Sequence, residues 1–146
     1  LDNAVQHINS NLSPREPLEV VESTRIDDGS KNIVDAIKAN IDRCLFAVFD
    51  VTNVSKVLDA ESDKSDKHFP TANVVFELSY SLVRKNPDQV LLLKLDRKKD
   101  LSTDEIPFDF SQNRRLEFSQ PAKLQKEVEG ILIAYLRSRN FIQAAD

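Results

Sequence analysis

Three polar side chains set the chemistry open to this chain: Asp50, Asn73 and Glu77. Asp50 directly follows the apolar run Leu45–Phe49, which reads as a strand buried on both faces. Asn73 and Glu77 lie four residues apart in Ala72–Arg84, a stretch with Val75, Leu78 and Leu82 along one side that reads as a helix. Positions i and i+4 share a helix face, and the amides at a helix start attract anions. Ligands of open parallel sheets bind outside the carboxyl ends of the strands, so these three residues are expected to line one pocket there. Plainer roles stand beside this one. Asp50 can cap a turn with Thr52 and Asn53, and a carboxylate near a helix N-terminus is favourable by about 0.3–1 kcal/mol without any function.

The rest of the chain supplies a frame for such a pocket. Val5, Ile8 and Leu12 share a helical face over Asp2–Leu12, and Pro14 and Pro17 end that element. Leu18–Val21 is a short strand candidate. Ser30, after the turn Asp27-Asp28-Gly29, is the expected N-cap of a helix carrying Ile33, Ile37 and Ile41. Val54–Thr71 reads as a polar loop containing the charge run Asp59–Lys67, a solvated loop or, more sharply, a lid over the site. Val90–Leu95 reads as a second buried strand, Arg97–Asp104 as a charged loop and Arg115–Phe118 as a short strand. Pro121 suits the first turn of a last helix whose apolar face runs from Leu124 to Leu136. That face is core, or else a self-association surface. Strands alternating with helices imply a mainly parallel α/β sheet flanked by helices. Folds of this kind usually open on a strand, so a further strand is expected ahead of the first helix; the absence of methionine, position 1 included, agrees with a fragment.

Composition narrows the classes. A chain of 146 residues suits one domain, spanning 1–146. A net charge of −4 disfavours a broad nucleic-acid-binding face. Two glycines, Gly29 and Gly130, exclude a glycine-rich phosphate loop. The single cysteine, Cys44, excludes an internal disulfide and reads as a small core residue in a reducing compartment. His7 and His68 stand far apart, so no zinc spacing exists and no metal is expected. No apolar run is long enough to span a bilayer and no signal peptide is visible, so a cytoplasmic location is expected.

Phe49-Asp50-Val51-Thr52-Asn53, followed by Asn73-Val74-Val75-Phe76-Glu77-Leu78-Ser79-Tyr80-Ser81, resembles the bacterial TIR-like nucleotide-binding proteins and their relatives, the nucleoside 2-deoxyribosyltransferases. In those families the strand ends in Asp-x-Thr and the helix reads Asn-x-x-x-Glu-Leu-Gly-x-Ala. Ile106-Pro107-Phe108-Asp109-Phe110 with Arg114 and Arg115 resembles the group's later Pro-Phe-Asp segment followed by arginine. The likeness covers Gly29–Phe118. It departs at Ser79 and Ser81, where glycine and alanine are usual, at Cys44, where aspartate is usual, and at the insertion Lys56–Phe69.

The resemblance implies an open flavodoxin-like, TIR-like sheet and cleavage or transfer at an N-glycosidic bond, with NAD or a related nucleotide as substrate and no resident cofactor. In the transferases the matching glutamate attacks the sugar's anomeric carbon; in TIR enzymes a glutamate supports release of nicotinamide. Carried over, Glu77 is the catalytic residue, Asp50 and Asn73 position ribose hydroxyls, Thr52 and Asp109 join the substrate site, and Arg114 or Arg115 holds phosphate in a bidentate fork. Surface solvation is the plainer role of those arginines. An NAD hydrolase of bacterial antiphage defence is one expectation. A non-catalytic nucleotide-binding or self-assembling signalling module, acting as a homo-oligomer, is the second, and a structural fragment of a larger protein is the third.

Overall fold

The computed structural model describes residues 1–24, 32–52, 55–57, 67–95 and 114–142. Residue contacts divide the chain into two compact units, Leu1–Glu22 with Gln120–Asp146, and Ser23–Ser119.

In the first unit, helix α1 (Asp2–Asn11) lies against helix α4 (Pro121–Ser138). Ala4, Val5 and Ile8 of α1 and Val128, Leu132, Tyr135 and Leu136 of α4 are buried, as their spacing predicts. His7 Nδ1 meets Glu129 Oε1 at 2.6 Å across the pair. Asn140, in the left-handed region at φ 58°, turns the chain out of α4, and Phe141 N–H closes the end on the Leu136 carbonyl at 2.8 Å. The strand expected at Leu18–Val21 does not form. The Asn9 side-chain amide both donates to the Leu18 carbonyl and accepts from its N–H, each at 2.9 Å. A single amide thus satisfies both backbone groups that a neighbouring strand would have taken.

In the second unit, three parallel strands form an open sheet in the order β1 (Ala47–Asp50), β4 (Val90–Leu95), β5 (Arg114–Phe118). Helix α2 (Ile33–Arg43) precedes β1, and helix α3 (Ala72–Arg84) carries the chain from β1 towards β4. Asn32, rather than the expected Ser30, caps α2: its side chain accepts from Val34 N–H at 3.0 Å. Ser30 itself lies outside the described residues. Pro87 cannot continue α3 and opens a short 3₁₀ turn, Pro87–Gln89, that leads into β4.

The core of this unit joins Ala47, Phe49 and Val51 to Val90 and Leu92, with Leu78 of α3 seated on them and Val74, Leu82 and Cys44 around the edge. Alternation along β1 puts Ala47, Phe49 and Val51 on that face and Val48 and Asp50 on the other. The polar loop expected over Val54–Thr71 contains a two-stranded antiparallel ribbon, β2 (Ser55–Val57) with β3 (Lys67–Phe69), pairing Ser55 with Phe69 and Val57 with Lys67. Three-residue strands around a charged run carry too little apolar alternation to be visible in sequence. The charge run between them falls largely outside the described residues.

Candidate functional site

Helix α3 positions two of the three expected residues. Thr71, extended at φ −61° and ψ 148°, caps its start by accepting from Val74 N–H. Asn73 follows in the first turn and is exposed. Glu77 comes one turn later and is only 8% exposed, the one buried aspartate or glutamate among the described residues. Neighbouring Leu78 is drawn onto the sheet, and the 100° step between successive helix residues leaves Glu77 on the flank of that contact. Among the described residues no hydrogen bond or ion pair reaches its carboxylate.

Asp50 ends β1 and is exposed. Its Oδ1 accepts from Thr52 N–H at 2.9 Å, the turn-capping role. Thr52 is half-buried and accepts at Oγ1 from Leu95 N–H at 2.9 Å, stitching the chain to β4 two residues beyond the end of β1. The threonine proton is left to donate elsewhere. Asp50 stands on the sheet face opposite Phe49 and Val51, whereas Glu77 belongs to the helix covering Phe49 and Val51. The two carboxylates therefore approach from different faces, and no hydrogen bond joins Asp50, Asn73 and Glu77.

Arg114 and Arg115 are exposed at the start of β5. Register places them level with Leu91 and Leu92 of β4, and so with Val48 and Phe49 of β1, one to two residues short of the level of Asp50. Arg115 pairs with Glu117 at 3.0 Å. Asn53 and Asp109 lie outside the described residues. Among the described residues, no group of three or more His, Cys, Asp or Glu side chains is placed to hold a metal. No described helix is long and apolar enough to cross a membrane.

Sequence reading missed a polar clamp between α2 and α3. Tyr80 donates its hydroxyl to Asp42 Oδ2 at 3.0 Å, and Arg84 Nε donates to Asp42 Oδ1 at 2.8 Å. Lys85 Nζ donates to the carbonyls of Asp42 and Cys44, closing the end of α2. The hydrogen bond from Arg84 holds the Asp42 carboxyl below its usual value, while burial, then the bond to Asp42, pushes the Tyr80 hydroxyl up. Burial also raises the Cys44 thiol, whose Sγ donates to the Ile41 carbonyl at 3.1 Å, in line with a packing role for this residue. A second surprise is Lys94, only 4% exposed inside the apolar strand β4.

The pattern of the TIR domain of CAP12/Pycsar effector proteins matches residues 2–105, which include Asp50, Thr52, Asn73 and Glu77 and stop short of Asp109, Arg114 and Arg115. No curated protein and no solved structure matches the chain. With a match over well more than half its length and the open parallel sheet described above, the chain belongs to the CAP12/Pycsar effector TIR-domain family.

Proposed function

We propose that this domain cleaves the N-glycosidic bond of NAD or a related nucleotide, with Glu77 as the catalytic carboxylate, and that it acts in bacterial antiphage defence. The burial of Glu77, whose carboxylate meets no hydrogen bond or ion pair among the described residues, carries the reading. A carboxylate held away from water weakens a fold unless something balances its charge, and a cation-like sugar does so transiently as the glycosidic bond breaks. Nicotinamide departs with the bonding electrons, Glu77 stabilises or captures the anomeric carbon, and water completes hydrolysis. The likeness to nucleoside 2-deoxyribosyltransferases, where transfer replaces hydrolysis, belongs to the same proposal. Asn73, one turn before Glu77, and Asp50, with Thr52 and Asp109, would orient the substrate, and Arg114 or Arg115 would hold phosphate. A cytoplasmic setting, no resident cofactor and no nucleic-acid partner complete the proposal.

The test is chromatography of nicotinamide released from NAD. Glu77→Gln keeps the shape and removes the charge, and is expected to lower turnover on the order of a hundredfold or more. Turnover equal to wild type would remove Glu77 from the mechanism. The capture of Asp50 Oδ1 and Thr52 Oγ1 by backbone groups favours a second reading, a module that binds a nucleotide and assembles without catalysis. It predicts ligand-induced thermal stabilisation with no product.

A further inference from the structure

Strand register decides which cations share a sheet face with the helix that carries Glu77. Neighbouring parallel strands pleat in phase, so residues paired across them point to the same face. Phe49 pairs with Leu92, and both lie in the core that Leu78 of α3 covers. Leu92 pairs in turn with Arg115, and Lys94 with Glu117. Arg115, Lys94 and Glu117 therefore stand on the α3 face. Arg114 pairs with Leu91 and stands on the opposite face. Lys94 comes one step after Leu93, the partner of Asp50, and so reaches the carboxyl rim of β4, the middle strand of the three, where open parallel sheets bind ligands. It is buried there, and salt screens a buried charge far less than an exposed one. The diagonal from Lys94 to Arg115 is roughly 8 Å, and both side chains are long enough to converge on one phosphate or diphosphate. Arg115 meets Glu117 at 3.0 Å, but both are exposed and such a pair is weak; a phosphate offers the guanidinium a stronger, bidentate partner. We infer that Lys94 and Arg115 form the anion subsite for the phosphates of the proposed nucleotide, that Glu117 competes for Arg115, and that Arg114 takes no part. The inference rests on the reading of a nucleotide substrate, but its test needs no turnover.

The test is calorimetric titration of the full chain with ADP-ribose, the part of NAD left when nicotinamide departs. Arg115→Gln and Lys94→Met each remove one charge with little change in size, and each is expected to weaken binding on the order of tenfold. Arg114→Gln is expected to weaken it by less than about twofold. Glu117→Gln, which releases Arg115, is expected to tighten it about threefold. Inorganic pyrophosphate should bind more weakly than ADP-ribose, with the same dependence on Lys94 and Arg115; equal binding would assign the subsite to a free diphosphate and overturn its assignment to a nucleotide. Arg115 is exposed, so its variant keeps the test decisive even where Lys94→Met lowers stability. An ADP-ribose affinity unchanged by Arg115→Gln, or equal losses in Arg114→Gln and Arg115→Gln, would overturn the inference, as would a wild type that binds no ADP-ribose. Failure of the catalytic reading appears elsewhere, as full nicotinamide release from Glu77→Gln, and leaves these affinities as they are.

Discussion

Asp50 and Glu77 came from a reading of spacing and Thr52 from the family resemblance, and the fold gives each a different local duty. Thr52 is structural as well as a candidate substrate contact, because its Oγ1 satisfies Leu95 N–H where the ladder would otherwise end. Thr52→Val is expected to lower stability by about 1 kcal/mol, read as a lower denaturant midpoint at unchanged slope. Cys44 makes a second residue-scale case. Its thiol is raised by burial, so below its pKa the folded protein holds little thiolate. Alkylation at pH 8 should be slow in the native chain and rapid in denaturant; equal rates would show an open, reactive thiol. The assignment of Cys44 to packing was readable from its place at the head of an apolar run. The burial of Lys94 was not, since neither its charge nor its spacing distinguishes it from a solvated lysine.

At the scale of elements, α3 and β4 run over the residues that periodicity indicates, because each joins a clear apolar pattern to a hard stop at Asn86 and Pro87. The elements that differ do so through contacts outside any local window. Asn9 reaches nine residues along to Leu18 and prevents a strand. The α2–α3 clamp joins Asp42 to Tyr80 and Arg84, about forty residues away, so no spacing rule reveals it. Leu78 is the centre of the α3–sheet contact, and Leu78→Ala should cost about 2–5 kcal/mol in denaturant unfolding. The clamp has a pH signature. Its carboxyl pKa is lowered in the fold, so its contribution is complete above the ordinary carboxyl value of 3.8 and fades as pH falls through the folded value. Asp42→Asn should therefore be less stable than wild type at neutral pH, with the gap closing in strong acid. A gap that persists unchanged through the acid range would assign the loss to packing instead of charge.

For the molecule as a whole, the family match and the three-stranded parallel sheet give the architecture, and the net charge of −4 argues against a basic binding face. The proposed self-assembly has a concrete surface to act through. Phe76 and Val83, seven residues apart on α3, are 41% and 83% exposed on the side away from the core. If that ridge assembles copies of the chain, sedimentation velocity of Val83→Lys should show only monomer at concentrations where wild type associates. The site itself was legible as residue types and order, but not as distances, because Asp50 and Glu77 reach their places by way of different sheet faces. The most direct measurement is a structure of the chain soaked with NAD. The account predicts that the nicotinamide ribose lies with its anomeric carbon against the Glu77 carboxylate; a nucleotide bound elsewhere, with Glu77 still closed off from the sugar, would contradict it.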